Sequence, residues 1–111
     1  MDITYKSKEL QRYAEDEKYS LKKLGAILSK NYTMRITALL SAETLEAVRY
    51  LPGNYHELTG DRKGQWACNL SGNYRLVFEP HEKPIPTNPN GQYIWCEIKG
   101  VEIAEIVDYH K

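Results

Sequence analysis

Apolar residues between positions 20 and 40 recur at steps of three and four, which is the spacing of one face of an α-helix. These apolar positions are Leu21, Leu24, Leu28, Tyr32, Ile36 and Leu39. The opposite face carries the polar residues Lys22, Ser29, Lys30, Thr33 and Thr37. The pattern predicts one amphipathic helix from Ser20 to Leu40, with Leu21 among the residues that face the core.

Shorter elements flank this helix. Residues 3–5 are typical of a short strand, and residues 6–18 are rich in helix formers but poor in apolar residues, which indicates a short surface helix. Beyond the long helix, Leu45 and Val48 are the apolar positions of a further short helix. A Pro-Gly pair soon afterwards ends it.

After residue 53 the pattern alternates between apolar and polar residues, as it does in β-strands. Two such runs, QWACNL (65–70) and YRLVFE (74–79), flank a turn-forming Ser-Gly-Asn triplet. A two-residue turn would set Arg75 opposite Leu70 and mix polar with apolar residues on both faces. A three-residue loop at 71–73 puts every large apolar side chain on one face, so we predict that loop. Its cross-strand pairs are Leu70–Tyr74, Cys68–Leu76 and Trp66–Phe78.

This register directs Arg75 to the other face of the hairpin, together with Ala67, Asn69 and Val77. A charged side chain on the non-core face of a central strand is what a concave site needs. The face of the hairpin that carries Arg75 is therefore the predicted place for a functional site.

The rest of the chain adds a loop and two further strands. Residues 80–92 hold four of the five prolines, which indicates a loop long enough to be functional. Residues 93–98 and 101–110 are typical of strands, with a tight break between them. A short strand, then helices, then an antiparallel sheet of about four strands define an α+β fold. We expect the 111 residues, 1–111, to form a single domain.

The composition limits the classes of function that this chain can have. Basic residues number 15 and acidic residues 15, so the formal net charge is zero, which weakens a general case for nucleic-acid binding. Cys68 and Cys96 lie in apolar runs, as small buried hydrophobes do, and their spacing excludes a CxxC motif. No stretch resembles a signal peptide or reaches the length of a membrane span. We expect a cytoplasmic protein with both thiols reduced.

Side chains able to carry chemistry are few. His56 lies between the helices and the sheet, the turn GDRKG (60–64) carries the adjacent cations Arg62 and Lys63, and Arg75 lies on the hairpin. Each has an ordinary structural alternative: a surface histidine, a solvated turn, or an arginine that snorkels or forms a salt bridge.

The last four residues form a second group. Asp108, Tyr109, His110 and Lys111 place a carboxylate, a phenol, an imidazole and an ammonium directly after an apolar run. In a regular strand Asp108 and His110 share one face and Tyr109 lies on the other. The structural alternative here is a frayed polar terminus.

Cleavage of an RNA phosphodiester would use such residues. The 2′-OH must lose a proton, the 5′-oxygen must gain one, and the phosphorane between them needs fixed cations. Histidine titrates near neutral pH, arginine donates bidentately to phosphoryl oxygens, and an aspartate can orient an imidazole. No metal is needed, because the nucleophile belongs to the substrate. A metal site from His56, Asp108 and His110 is the alternative, but no spacing signature supports it.

Two segments together carry a family resemblance. LPGNYHELTGDRKGQWACNLSGNYRLVFEP (51–80) and VEIAEIVDYHK (101–111) resemble the central sheet and the ending of HigB-type toxins of the RelE/ParE superfamily. The resemblance implies helices packed on a twisted antiparallel sheet. It also implies a bacterial type II toxin that cleaves mRNA on the translating ribosome, without a cofactor.

The same resemblance assigns site residues by position. The catalytic positions fall on His56, Arg75, Asp108, Tyr109 and His110. The phosphate or RNA contacts fall on Arg62, Lys63 and Lys111. It further implies a small helix-turn-helix antitoxin of the HigA type, through which alone the toxin would meet operator DNA. The other partners implied are mRNA and the ribosome.

The sequence departs from this family pattern at Thr59, where relatives often have a lysine, and in the longer loop at 80–92. Two alternatives stay open. A ParE-like relative would poison DNA gyrase, although the Asp-Tyr-His ending argues against that branch. A toxin-like module without activity would only contact its antitoxin, and Thr59 and the zero net charge leave that interpretation open.

Overall fold

Ten elements make up residues 1–108, which a computed structural model describes; the assignments to Tyr109, His110 and Lys111 lie outside the described residues. The strands are β1 (Asp2–Tyr5), β2 (His56–Glu57), β3 (Trp66–Asn69), β4 (Tyr74–Pro80) and β5 (Gly100–Asp108). The helices are α1 (Lys8–Glu15), α2 (Glu17–Ser41) and α3 (Leu45–Val48). Two 3₁₀ turns span Gly60–Arg62 and Trp95–Glu97.

The strands form one five-stranded sheet in the order β1-β5-β4-β3-β2. Helices lie on one face of it, so the predicted α+β class is confirmed. The sheet has one strand more than the predicted four and is mixed, because β1 pairs with β5 in parallel, with Ile3 beside Val101. The three other strand pairs are antiparallel. Parallel pairing needs a long crossover, and the helical segment supplies it here.

The β3–β4 hairpin has the predicted three-residue loop. Trp66 pairs with Phe78 and Cys68 with Leu76, and the backbone N–H of Leu70 donates to the Tyr74 carbonyl oxygen at 2.9 Å. All these large side chains except Tyr74 are fully buried, where they meet the apolar residues of α2. Burial of one face thus fixed the register, as the alternation predicted.

The long helix α2 differs from the prediction at one residue. Gly25 has φ +83° and ψ 167°, so the element consists of two helical limbs that meet at a kink. Tyr32, Ile36 and Leu39 face the core as predicted. Leu21 does not, because the kink rotates the first limb, and 44% of it is exposed. The prediction for Leu21 is therefore wrong.

The segment 93–98 was predicted to be a strand, and that prediction is wrong. Tyr93 makes only an isolated bridge to Thr87, and a 3₁₀ turn follows. The Trp95 ring packs edge-on against Trp66 with 5.4 Å between ring centroids, which buries it in the core. Packing of this aromatic side chain takes the backbone away from the edge of the sheet. Residues 81–92 contain no helix or strand, in agreement with the predicted loop.

The two cysteines are unpaired and differ in environment. Cys68 is buried, and desolvation raises the pKa of its thiol to about 12, which keeps it protonated at neutral pH. Cys96 is exposed, contrary to the prediction that it is a buried hydrophobe. Among residues 1–108, no helix has the length and apolar character that crossing a bilayer requires.

The kink at Gly25 gives a stability prediction. A side chain disfavours this φ/ψ combination even though nothing lies within 4 Å of an added Cβ. Gly25→Ala should therefore lower the free energy of unfolding in urea by about 1–3 kcal/mol. Gly72→Ala is the matched control, since Gly72 also has open space around it but no positive φ. Equal effects of the two substitutions would mean that the kink conformation carries no strain for a side chain.

Candidate active site

The sheet has a second apolar cluster on the face opposite the core. Ala67, Val77 and Ala104 form it, with Leu58 and Val107 packed against them. None of these residues belongs to a helix. Arg75 shares this face with Ala67 and Val77 by strand alternation, and we call it the Arg75 face.

Two rows of side chains cross the Arg75 face. One row runs over four strands: His56, Ala67, Val77 and Glu105. The next row contains Asn69, Arg75 and Val107. His56 and Arg75 therefore stand on the same face, two strands and one row apart, which is about 12 Å between Cα atoms from standard strand spacings.

The imidazole of His56 is oriented by the backbone. Its Nδ1 lies 2.7 Å from the carbonyl oxygen of Asn54, an atom that only accepts hydrogen bonds. Nδ1 therefore carries a proton, and in the neutral ring Nε2 holds the free lone pair. Asn54 has φ +55°, a left-handed conformation that asparagine tolerates well. The local turn thus prepares His56 to accept a proton at Nε2.

The guanidinium of Arg75 holds the hairpin loop. Its Nη1 donates to the carbonyl oxygens of Ser71 at 2.9 Å and Tyr74 at 3.1 Å. From the helix side, Arg35 Nε donates to the Asn69 carbonyl at 2.7 Å and Asn31 Nδ2 donates to the Leu70 carbonyl. Side chains from both sides therefore fix the end of the hairpin, and with it the position of the Arg75 charge.

Sequence reasoning missed Asn31 and Arg35. Both lie on α2 at helical spacing, and their contacts to the hairpin span 39 and 34 residues of sequence. A single sequence holds no signal for such a pairing. Their polar character within the apolar helical face was the one available hint.

Asp108 lies at the end of β5, next to the hairpin. The register sets it opposite Tyr74, while Arg75 faces Val107. Strand alternation therefore sends Asp108 and Arg75 to opposite faces, although they are neighbours along the ladder. The other predicted tail residues, Tyr109, His110 and Lys111, lie outside the described part of the chain.

Arg62 and Lys63, the adjacent cations of the 60–64 turn, point in different directions. Arg62 Nη1 lies 3.4 Å from Glu105 Oε2, in the row of His56. Lys63 Nζ lies 5.6 Å from the centre of the Tyr93 ring, at the β2 edge of the sheet. Arg62 therefore belongs to the Arg75 face, and both cations line the cleft beside this turn.

A polar cleft of about 570 Å³ opens beside this turn. Hydrogen bonds run along it: Arg62 Nη1 donates to Gln65 at 3.0 Å, and Gln65 Nε2 donates to Glu79 at 3.0 Å. Lys83 donates to the other Glu79 oxygen at 3.1 Å. The Gln65 hydrogen bond, followed by the contacts of Lys83, holds the pKa of Glu79 below its ordinary 4.5. Within residues 1–108, no three histidine, cysteine or acidic side chains gather as a metal site would require.

Comparisons with known proteins bear on the fold. No protein-family model and no curated protein matches the sequence. Solved structures match it along nearly the whole chain. A YoeB/ParE toxin from Agrobacterium tumefaciens has 12% identity, covers 99% of this chain and 100% of its own, and gives a TM-score of 0.53. The chain has a RelE/ParE-like toxin fold.

Two further structures agree with that conclusion. A YoeB–YefM complex from Staphylococcus aureus has 14% identity over 100% of this chain and 98% of that one, with a TM-score of 0.55. A mutant of YafQ from E. coli has 16% identity over 96% of this chain and 91% of that one, with a TM-score of 0.54. Identities this low establish the toxin fold alone, so the HigB subtype stays a prediction.

The cleft of this toxin fold allows a test of its electrostatics. A lowered carboxyl pKa stabilises the folded state above the ordinary pKa, and that stabilisation is lost as the pH falls through the folded-state value. We expect Gln65→Ala to raise the pKa of Glu79 more than Lys83→Ala does, because the Gln65 hydrogen bond is the larger cause. An NMR titration of the side-chain carboxyl measures both. A larger effect of Lys83→Ala would mean that the ion pair dominates.

Proposed function

We propose that this chain is the toxin of a type II toxin–antitoxin system and acts as a HigB-type, ribosome-dependent mRNA endonuclease. The observation that carries the proposal is the pairing of two groups on one face. His56 offers a lone pair at Nε2 because Asn54 holds Nδ1, and Arg75 provides a fixed cation on the same face. The toxin fold and the Asp-Tyr-His ending support the same interpretation.

The chemistry needs two proton transfers. His56 Nε2 takes the proton of the 2′-OH, whose oxygen forms a bond to phosphorus. Arg75 stabilises the added negative charge of the phosphorane. We assign the protonation of the 5′-oxygen, as its bond to phosphorus breaks, to His110, with Tyr109 assisting. Asp108, although the resemblance assigns it to the site, has no direct part in this step, because strand alternation directs it to the face opposite Arg75. The products are a 2′,3′-cyclic phosphate and a 5′-hydroxyl, and the balance requires no metal.

The other basic residues predicted to belong to the site would bind the substrate. We assign phosphate or ribosomal RNA contacts to Arg62, Lys63 and Lys111. Arg62 would have to leave Glu105, but both side chains of this ion pair are more than a third exposed, and such pairs contribute little, at most about 1 kcal/mol. A phosphate can therefore replace the carboxylate. The zero net charge implies modest affinity for free RNA. Binding to the ribosome would therefore bring the chain to its mRNA.

A protein partner is part of the proposal. The partner would be a helix-turn-helix antitoxin of the HigA type, and operator DNA would be reached only through that complex, in the cytoplasm. One of the similar structures is itself a complex, the YoeB–YefM pair. A gyrase-directed activity is the second candidate, because one matching structure carries the name YoeB/ParE and the fold alone does not separate the two branches.

Loss of either catalytic histidine should abolish toxicity. We expect His56→Gln and His110→Ala to reduce mRNA cleavage by about 10²-fold or more, the usual contribution of a positioned acid or base. Growth after induced expression and mapping of RNA 5′ ends measure the effect. His81→Gln is the matched control, since His81 is exposed, bonds Thr4 at 2.8 Å and has no place in the proposed chemistry.

The three candidate functions give different results in this experiment. New mRNA ends in phase with codons, lost in both histidine variants but kept in His81→Gln, support the nuclease. Growth arrest with intact mRNA would contradict it and lead to gyrase assays. No arrest from the wild type would mean a binding module that lacks activity.

Thr59 offers a gain-of-function test. It is exposed, and its hydroxyl makes no capping hydrogen bond to the 3₁₀ turn that follows. Thr59→Lys should therefore change the unfolding free energy by no more than about 0.5 kcal/mol. If the missing cation limits activity, cleavage should be several-fold faster, and the slope of RNA affinity against salt should steepen by about 0.7. Thr59→Gln, which adds length without charge, controls for size; an equal gain there would exclude the charge as the cause.

A further inference from the structure

The Arg35 side chain reaches from α2 to the end of the hairpin, at a point that β2 does not cover. Continuing the β2–β3 register by two residues would set Asn54 opposite Asn69, but Asn54 has φ +55° and lies outside the strand. The N–H of Asn69 donates instead to the Gly53 carbonyl at 2.8 Å, and its carbonyl accepts from Arg35 Nε at 2.7 Å. Arg35 therefore donates the hydrogen bond that a longer strand β2 would have donated.

The same guanidinium packs against the turn that precedes His56. A Cβ atom on Gly53, whose φ is +123°, would lie 2.9 Å from Arg35 Cζ, 2.9 Å from Nε and 3.1 Å from Nη1, which is over the flat face of the group. Glycine is needed here because the backbone rests directly on that face. The Tyr55 hydroxyl donates to the backbone carbonyl of Arg35 at 3.3 Å. Both neighbours of Asn54 thus contact Arg35, and the Asn54 carbonyl is the one that holds His56 Nδ1.

Arg35 makes these contacts without an acidic partner, since none of the ion pairs within residues 1–108 includes it. An arginine fits the place by its shape. Its Nε donates in the plane of the guanidinium, and the face of the same plane packs on Gly53. A lysine has the same charge but neither a flat face nor a donor at that position. The contacts of Arg35 therefore depend on the geometry of its side chain, and a cation of another shape cannot reproduce them.

We propose that Arg35 is a positioning residue that sets His56 and Arg75 relative to each other through the backbone. On one side it supports the turn whose carbonyl orients His56. On the other it fixes Asn69, which is paired with Arg75 across the hairpin. It does so from the helix side of the sheet, away from RNA bound on the Arg75 face. The consequence for catalysis rests on the proposed nuclease, whereas the coupling itself can be measured without RNA.

The first test follows the coupling in the free protein by NMR. We expect Arg35→Ala to speed hydrogen exchange of the Asn69 amide at least about tenfold, because losing a charged donor loosens the junction of turn and hairpin. The ring-nitrogen signals of His56 should move from those of the Nδ1-protonated tautomer toward the average of the two tautomers. The amide of Leu76, a fully buried residue of β4, is the internal control for general unfolding, and its exchange should accelerate less.

The second test measures cleavage of mRNA on purified ribosomes. Arg35→Ala should lower kcat about tenfold or more and leave KM within about twofold, because the substrate contacts remain while the catalytic groups are displaced. Arg35→Lys keeps the charge and should lose nearly as much of kcat. Lys30→Ala is the matched control, since it removes an exposed cation from the same helix, and it should cleave mRNA as the wild type does.

A double-mutant cycle with Gly53 tests the contact itself. Gly53→Ala adds a Cβ that collides with the guanidinium, in addition to the backbone strain at φ +123°. Removing the guanidinium relieves the collision but not the strain. Gly53→Ala should therefore change Asn69 amide exchange and kcat at least about threefold less in Arg35→Ala than in the wild type.

Three outcomes would overturn the proposal. They are additive effects in the cycle, full activity of Arg35→Ala or Arg35→Lys, and equal acceleration of exchange at Asn69 and Leu76. A wild type that cuts no mRNA would contradict the proposed nuclease instead. The NMR signals of His56 and the exchange of Asn69 would then still decide whether Arg35 couples the turn to the hairpin, so the two failures are distinct.

Discussion

Burial of one face of the β3–β4 hairpin is the constraint on which the rest of the site depends. Trp66 and Phe78 can enter the core together only in a single register. That register leaves Arg75 on the opposite face and aligns His56 with Ala67 one row away. A shift of one residue would turn every one of these side chains over. The position of the polar groups thus follows from where the large apolar ones must go.

The second determinant is the set of hydrogen bonds at the hairpin end. Backbone carbonyl groups in a tight loop need hydrogen-bond donors. Here side chains from both sides of the sheet donate these hydrogen bonds. Arg75 serves the loop from its own face, and Asn31 and Arg35 reach it from α2. The helix layer and the polar face are therefore joined through the loop, so the geometry of one is tied to that of the other.

Local patterns predicted much of this molecule, and long-range contacts account for what they missed. Alternation gave the hairpin register, and helical periodicity gave the core positions Tyr32, Ile36 and Leu39. The kink at Gly25 was not predicted, because an isolated glycine is tolerated in a helical pattern. The strand predicted at 93–98 failed because Trp95 packs on Trp66, a contact that no local pattern reports.

The candidate site likewise has features that the sequence predicted and features that depend on long-range contacts. His56 and Arg75 were assigned to the site by pattern and by resemblance, and the register sets both on one face. The orientation of the His56 ring depends on the carbonyl of Asn54, and the divergence of Arg62 from Lys63 depends on Glu105 and Tyr93. Residue types alone do not encode such partners. Asp108 lies on the opposite face from Arg75, although both were predicted to belong to the site. Their relation depends on the register between β4 and β5, which the sequence of the last strand does not give.

The parallel pairing of β1 with β5 has a consequence for the order of folding. Its partners, such as Asp2 and Gly100, lie about a hundred residues apart, so closing that loop costs far more chain entropy than closing the three-residue hairpin. The hairpin can form early and offer β4 as a template for β5. Strand β1 pairs with β5 alone, so it can join the sheet only once β5 has done so. Strand β5 lies second in the sheet, between β1 and β4, so it connects the edge strand β1 to the hairpin.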